Sequence, residues 1–404
     1  MVPSRSLSSI LALPALAFLS LSASALPHPR TASSTAALKL AVRINSHGTK
    51  NIAAADRARI QALQAGGSSS VDATNAVAMY TADIGVGSPA TYYTLVLDTG
   101  SSFTWIGANK TYKQTTTSHD TGNQFSVTYG DGIYATGEEY TDTVTLNPDL
   151  IISDQSIGVA SSHSYLDGTD GVLGLGPVDL TVGIVSNGNE VATVMDNLYT
   201  QKIISSEVLG VFFAPASSDD SGGELTFGGY DASKITGDIS YVPITSIYPA
   251  SMYWGIDQSI SYGSTSILAE TAGVVDTGST FISIATDAFD KYQSATGATL
   301  DESTGLLQIS PDQYNQLSSL YFTTGGVTYE LTPNGQIWPR SLNTAIGGTT
   351  DAIYLVISST DTPSGFGLDF VNGYCFLERF YSVYDTTNSR VGFATTEYTH
   401  AMTN

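Results

Sequence analysis

The chain has 404 residues and a formal net charge of −22; 42% of it is hydrophobic and only 13% is charged. This length and apolar content allow two folded domains and exclude a disordered chain. The negative charge argues against nucleic-acid binding through a basic surface, and a single cysteine excludes a disulfide framework and a multi-cysteine zinc site.

The first residues have the pattern of a secretory signal, predicted over residues 1–25. Arg5 precedes an apolar run over residues 10–21, and the small residues 23–25 supply a cleavage site. The run is too short to span a bilayer, which takes ~20 residues. We therefore expect a secreted, extracellular protein without a membrane anchor.

Charge separates the beginning of the chain from the rest. Residues 1–70 contain seven basic residues and one acidic residue, a balance of +6, whereas residues 71–404 have a balance of −28. Residues 26–70 are rich in alanine and end in a Gly-Gly-Ser-Ser-Ser run that is typical of a linker. A disordered tail is one interpretation. The charge difference favours a basic pro-segment held against the acidic body, with Lys39 or Lys50 near the carboxylates described below.

From residue 78 onward the pattern predicts short β-strands. Runs rich in β-branched and aromatic residues, bounded by turn residues, occupy residues 91–97, 125–129 and 380–384. Helical spacing is confined to a few stretches, at residues 191–198, 286–296 and 310–317. The sequence therefore predicts a mainly β protein with a few short helices.

An internal repeat indicates two related β lobes. An apolar strand runs into Asp-Thr-Gly-Ser at residues 95–103 and again at residues 273–281. Each copy is followed by an apolar segment that ends in glycine, at residues 171–176 and 370–373. Two copies of one architecture predict a first lobe over residues 71–242 and a second over residues 243–404, facing each other across a cleft.

The repeat places one carboxylate at the end of each apolar strand, Asp98 and Asp276. A single Asp-Thr-Gly is a weak signal, because aspartate and glycine are ordinary turn residues. Two copies predict a pair of carboxylates that share a proton, so that one acts as a general acid and the other as a base on a water molecule. The residues expected to support this pair are Thr99, Gly100, Ser101, Thr277, Gly278 and Ser279.

The chain resembles the pepsin family of aspartic proteases over residues 78–400. Within that family it resembles the secreted enzymes of basidiomycete fungi. The segments that carry the resemblance are residues 80–89, both Asp-Thr-Gly-Ser sites and residues 127–132, 170–176, 195–198, 225–231 and 381–385. The resemblance implies a bilobal pepsin-like fold and a secreted acid endopeptidase, made as a zymogen, that cuts between mainly large hydrophobic residues. It also implies protein and peptide substrates and inhibition by pepstatin-like compounds.

Residues 125–140 independently predict a β-hairpin with a glycine-rich tip. By resemblance this hairpin is the flap over the substrate, with Tyr129, Gly130 and Asp131 at its end and Trp105 beneath Tyr129. Asp131 is either a turn residue or, by the family pattern, a carboxylate that allows a substrate lysine at the position before the cleaved bond.

Two positions depart from the family pattern, and one position is a candidate for modification. The lone Cys375 forms no intramolecular disulfide and is expected in the core, and Asn372 stands where an apolar residue is usual. Asn109 begins an Asn-x-Thr sequon, so it is either glycosylated or an unmodified surface asparagine.

Other functions fit the sequence less well. A serine hydrolase lacks a Gly-x-Ser-x-Gly motif, and a zinc protease lacks His-Glu-x-x-His. A non-catalytic pepsin-like binding or inhibitor protein remains as an alternative, although both Asp-Thr-Gly sites are intact. We expect a monomer with no cofactor, metal, nucleic-acid or membrane partner.

Overall fold

The structure, a computed structural model, describes residues 35–44, 52–65, 78–129, 134–164, 166, 168–218 and 222–404. The predicted signal, Lys50, Gly130 and Asp131 lie outside the described residues. Among the described residues, no helix is long and apolar enough to cross a membrane.

The strands of the first half are β1 (Ala36–Ile44), β2 (Ala78–Val86), β3 (Thr91–Asp98), β4 (Trp105–Ile106), β5 (His119–Thr128), β6 (Tyr134–Asn147), β7 (Leu150–His163), β8 (Gly171–Gly174), β9 (Val208–Phe213), β10 (Gly223–Phe227) and β11 (Ser240–Pro243). Those of the second half are β12 (Gly255–Tyr262), β13 (Thr265–Val275), β14 (Ile282–Ile284), β15 (Thr299–Asp301), β16 (Leu306–Ile309), β17 (Leu320–Thr324), β18 (Val327–Leu331), β19 (Ile353–Tyr354), β20 (Ile357–Ser359), β21 (Phe370–Asn372), β22 (Phe380–Asp385) and β23 (Arg390–Thr395).

The α-helices are α1 (Ile52–Ala65), α2 (Val194–Thr200), α3 (Thr286–Thr296), α4 (Pro311–Tyr314) and α5 (Tyr374–Leu377). Short 3₁₀ helices cover Val178–Thr181, Ala232–Lys234, Ala250–Met252 and Arg340–Ile346. Helices α2, α3 and α4 fall on the three predicted helical stretches. Ser310 caps α4 and Pro311 is its first residue, because proline's fixed φ suits a first helical turn.

Three sheets contain these strands, and the fold is mainly β, as predicted. The largest has thirteen strands, in the order β11-β23-β22-β9-β10-β1-β2-β3-β8-β4-β7-β6-β5. A seven-stranded sheet has the order β18-β17-β12-β13-β21-β14-β20, and β15, β16 and β19 form a third. The C-terminal strands β22 and β23 belong to the largest sheet, so the end of the chain pairs with strands of the first half. The lobe boundary after residue 242 stays a prediction.

The internal repeat is present in the strand topology. In the first half, β3 pairs in parallel with β8, β8 pairs antiparallel with β4, and β4 pairs in parallel with β7. In the second half, the order β13-β21-β14-β20 repeats the same directions. Asp98 and Asp276 therefore lie at equivalent places, at the carboxyl end of the strand that begins each set.

Part of the predicted pro-segment is built into the largest sheet. Strand β1 pairs antiparallel with β10 on one side and with β2 on the other. Leu38 and Leu40 point into the core, while Lys39 between them pairs with Glu224 on β10. The predicted place of Lys39 near Asp98 and Asp276 is therefore wrong, because the alternation of the strand directs it to a cross-strand partner.

Candidate active site

Each aspartate of the repeat is buried at the end of its strand. Asp98 is 0% exposed and Asp276 is 1% exposed. Asp98 pairs in register with Gly174 of β8, and the Asp276 N–H donates to the backbone oxygen of Asn372. The neighbouring strand therefore fixes the backbone beneath each carboxylate.

Each carboxylate accepts two hydrogen bonds from its own loop. The Gly100 N–H donates to Asp98 Oδ1 at 2.9 Å, and the Ser101 hydroxyl donates to Oδ2 at 2.5 Å. In the second loop the matching bonds to Asp276 come from Gly278, at 3.0 Å, and Ser279, at 2.6 Å. The four predicted glycine and serine residues thus orient the two carboxylates in the same way.

The two threonines bind the two loops to each other. The Thr99 N–H donates to Thr277 Oγ1, and the Thr277 N–H donates to Thr99 Oγ1, both at 3.0 Å. The hydroxyls donate in turn to the backbone oxygens of Val275 and Leu97. The threonine hydroxyls thus support the carboxylates through the backbone of the opposite loop.

Close approach of the two loops explains the glycine in each motif. A Cβ on Gly100 would lie 2.7 Å from Asp276 Oδ1, and a Cβ on Gly278 would lie 2.7 Å from Asp98 Oδ1. Both distances are shorter than a van der Waals contact. Any side chain at either position would push the two carboxylates apart.

Helix α1, from the predicted pro-segment, places a cation on both carboxylates. Arg59 donates from Nη2 to Asp98 Oδ1 at 2.7 Å and to Asp276 Oδ1 at 2.7 Å, and from Nε to Asp276 Oδ2 at 2.6 Å. The guanidinium is fully buried. One nitrogen therefore bridges the pair at the point where the two carboxylates face each other.

Burial raises the pKa of Asp98 above its usual range, because a charged carboxylate is disfavoured away from water. The nearby charge of Asp276 acts in the same direction, while the charge of Arg59 opposes the shift. The site can therefore hold a proton on a carboxylate in mildly acidic solution, as general acid–base chemistry requires.

Comparisons with known proteins agree with this geometry. The profile of the family described as "Eukaryotic aspartyl protease" matches residues 79–396. The chain belongs to this family. It is 58% identical to polyporopepsin from Irpex lacteus over 83% of this chain and 99% of that protein. It is 33% identical to rhizopuspepsin-1 from Rhizopus niveus, over 69% of this chain and 72% of that protein. It is 29% identical to pepsin A from Sus scrofa, over 78% and 80%.

A solved structure supports the same conclusion. The crystal structure of the aspartic proteinase from Irpex lacteus matches 81% of this chain and 96% of that chain, with a TM-score of 0.78 and 58% identity. The protein is an aspartic-type endopeptidase of the pepsin-like fold.

In this protease, Tyr129 and Trp105 are in contact near the tip of the predicted flap. Strands β5 and β6 form the expected hairpin, and Thr128 pairs with Tyr134 next to its tip. The Trp105 indole N–H donates to the Tyr129 hydroxyl, and both side chains are buried. The residues at the tip, Gly130 and Asp131, lie outside the described part.

An apolar cluster beside the aspartates receives two further buried residues of α1. Ile60 and Leu63 pack there against Leu180, Ala250, Tyr253, Ala272, Val274, Leu368 and Val371. The helix is also held at its end, where the Gln64 side chain donates to Thr362 Oγ1 and to the backbone oxygen of Leu368. The helix thus covers both the acidic centre and its apolar surroundings.

The amide of Asn109 is already used within the protein. Its side-chain nitrogen donates to the backbone oxygens of Leu166, at 2.6 Å, and Thr169. This geometry favours an unmodified Asn109 over a glycosylated one.

Sequence reasoning missed Arg59 and the other residues of α1 that enter the site. A signal was present: Ile52, Asp56, Ile60 and Leu63 recur at helical spacing, and all four are buried.

Proposed function

We propose that the chain is the zymogen of a secreted acid endopeptidase that hydrolyses internal peptide bonds between mainly large hydrophobic residues. Asp98 and Asp276, the dyad, are its catalytic residues. The observation that carries this proposal is the bridging of both buried carboxylates by one nitrogen of Arg59. This nitrogen lies between the carboxylates at hydrogen-bond distance from both. A water molecule of about the same size can take its place when Arg59 leaves.

In the free enzyme this water is the nucleophile. One carboxylate of the dyad is ionised and takes a proton from the water as its oxygen bonds to the peptide carbonyl carbon. The protonated carboxylate gives its proton to the carbonyl oxygen, which leaves a neutral tetrahedral diol. The carboxylate that now holds the proton donates it to the peptide nitrogen, the other carboxylate takes a proton from one diol hydroxyl, and the C–N bond breaks to give an acid and an amine. The dyad ends with one proton, as it began.

Specificity for large apolar residues is supported by the cluster around Ile60 and Leu63. These side chains leave the cleft with the pro-segment, and a substrate side chain of similar size can occupy the same space. The walls include Tyr253, Val274 and Val371, which lie next to the second Asp-Thr-Gly-Ser loop. The buried contact between Trp105 and Tyr129 supports a role in holding the flap over the substrate.

The occupied cleft supports the proposal that this chain is a zymogen. While Arg59 lies on the dyad, neither a water nor a substrate carbonyl can reach it. Acid protonates the dyad, removes the charge that attracts the guanidinium, and favours release of residues 26–70.

The experiment is to shift the purified chain to acid pH, sequence the new N-terminus, and assay acid-denatured haemoglobin with and without pepstatin. Asp98→Asn and Asp276→Asn are each expected to abolish activity. Asp83→Asn, which changes an exposed acid of the first lobe, is the matched control and should remain active. Pepstatin-insensitive activity would contradict catalysis by the dyad, and no activity after release of the segment would favour a binding protein.

A further inference from the structure

A second charged residue of α1 is buried beside the dyad and has its own partners. Asp56 is 0% exposed and lies one helical turn before Arg59, on the same face of the helix. Its carboxylate accepts the Thr280 N–H at 2.9 Å and the Phe281 N–H at 2.7 Å. Both donors belong to the main chain that follows the second Asp-Thr-Gly-Ser loop.

Burial of this carboxylate needs compensation. A buried carboxylate is costly unless hydrogen bonds or an opposite charge stabilise it. The two N–H groups and Arg59 stabilise the ionised form, while burial and the charge of Asp276 raise the pKa of Asp56 to about 7. Tyr374 and Cys375 also face Asp56. Since an apolar side chain would avoid this cost, the carboxylate is best explained by the two N–H groups that it binds.

We propose that the N–H groups of Thr280 and Phe281 form a carboxylate-binding site beside the dyad, and that Asp56 occupies it in the zymogen. The contact of Arg59 with the dyad is the first inhibitory contact, or lock, of the segment, and the contact of Asp56 with this site is the second. This inference rests on the proposed function, in which residues 26–70 are an inhibitory pro-segment. The two locks differ in chemistry. Arg59 binds the ionised dyad and loses its partner on acidification, whereas Asp56 binds main-chain donors that do not titrate. Asp56 itself takes up a proton near pH 7. Its carbonyl oxygen still accepts from a main-chain N–H in the protonated form, so part of the second lock remains after the dyad has lost its charge.

Maturation of the full-length chain tests the second lock. Asp56→Ala removes the acceptor, Asp56→Asn keeps one amide oxygen as an acceptor, and Gln61→Ala changes an exposed residue of the same helix as the control. The chains are purified at pH 7, shifted to pH 5, and followed by the appearance of the mature N-terminus. We expect Asp56→Ala to mature about tenfold or more faster than the parent, Asp56→Asn to stay close to the parent because its amide copies the protonated carboxyl, and Gln61→Ala to match the parent. Equal rates for Asp56→Ala and the parent would overturn the proposal.

Hydrogen exchange at pH 7 gives a local readout that does not depend on protease activity. In the parent zymogen the amides of Thr280 and Phe281 should be protected, and Asp56→Ala should raise their exchange while the core strands stay protected. Unchanged exchange at these two amides would refute the site. If Asp56→Ala does not fold, the same measurement on Asp56→Asn decides.

The two proposals fail in different ways. All these variants release the same mature sequence, so their mature kcat/KM values should be equal. If the parent chain never digests acid-denatured haemoglobin, the proposed function fails, while the exchange measurement still tests whether Asp56 occupies the site.

Discussion

Arg59 and Asp276 form a two-point ion pair inside the protein, with the Nε and Nη2 atoms of the guanidinium on the two carboxylate oxygens at 2.6 and 2.7 Å. The planar guanidinium matches a carboxylate at two points, which an ammonium group cannot do. The same Nη2 also reaches Asp98. In the proposed zymogen, the identity of this residue should therefore control latency.

We predict that Arg59→Ala accelerates maturation about a hundredfold or more at pH 5. The substitution leaves two buried carboxylates without their cation, and breaking such a pair costs about 3–5 kcal/mol. Arg59→Lys should be intermediate, because a point charge keeps the attraction but loses the two-point contact. Arg57→Ala is the control, since its ion pair with Asp361 is partly exposed and should matter little. The measurement is the half-time for appearance of the mature N-terminus, and a half-time unchanged by Arg59→Ala would contradict the prediction.

The sequence predicted the dyad and its loops because the signal there is local and repeated. Each Asp-Thr-Gly-Ser follows its own apolar strand, and the parallel pairing with a glycine-ended strand follows the same repeat. The residues of the predicted pro-segment that contact the two carboxylates were misplaced for a physical reason. Two charged residues three positions apart, such as Asp56 and Arg59, usually indicate a solvent-exposed face of a helix. Here the folded cleft provides buried partners for both side chains, so that both are buried. Lys39 has the required charge, but its strand register directs it to Glu224.

Glu378 is expected to make the mature enzyme more stable in acid than at alkaline pH. It is buried, accepts hydrogen bonds from the Tyr80 hydroxyl and the Ala216 N–H, and also faces Arg379, Tyr374 and Cys375. Burial raises its pKa from 4.5 to about 7, against the opposing charge of Arg379. Because the folded-state pKa is the higher one, its contribution to stability is complete below about pH 4.5 and is lost as the pH rises through 7.

We predict that Glu378→Gln reduces this pH dependence. The group accounts for about 3 kcal/mol of the loss of unfolding free energy between pH 5 and pH 8, and glutamine has no proton to lose. The measurement is the Tm of the mature form at both pH values, with Glu302→Gln, an exposed acid, as the control. If the Tm of Glu378→Gln changes between pH 5 and pH 8 as much as the Tm of the parent, Glu378 is not the source of the pH dependence.

We predict that Asn109 carries no glycan in the native protein. A sugar on the side-chain nitrogen replaces one of its two N–H groups, so that one of the bonds to Leu166 and Thr169 would be lost. Mass spectrometry of the peptide that contains Asn109, before and after treatment with an amidase that removes N-glycans, checks this. Conversion of Asn109 to aspartate by the amidase would show that the prediction is wrong.

Asp131 is predicted to allow cleavage after lysine. A carboxylate at the flap tip can pair with an ammonium group before the cut bond, and Asp131→Thr removes that charge while keeping a polar turn residue. In matched model peptides the variant should lose about tenfold in kcat/KM after lysine and retain its rate after phenylalanine or leucine. Equal loss with both kinds of peptide would assign Asp131 to the turn alone.

Beneath the second aspartate, an amide pair replaces an apolar one. Asn372 Nδ2 donates to Gln258 Oε1 at 3.0 Å, Gln258 Nε2 donates back to Asn372 Oδ1 at 3.4 Å, and both residues are 0% exposed. By the register of the repeated strands, the equivalent residues of the first lobe are Leu173 and Ile84, which are also fully buried. This explains how asparagine is tolerated at a position that is usually apolar.

We predict that the two amides depend on each other for stability. Asn372→Leu alone leaves the Gln258 amide buried without its partner, which costs about 1–3 kcal/mol of unfolding free energy. Adding Gln258→Ile copies the Leu173 and Ile84 pair and should recover most of that loss, because replacing both partners by apolar groups is nearly neutral. Chemical denaturation of the parent, both single variants and the double variant gives the coupling free energy. Additive losses in the double variant would mean that the amide bonds do not couple the two strands.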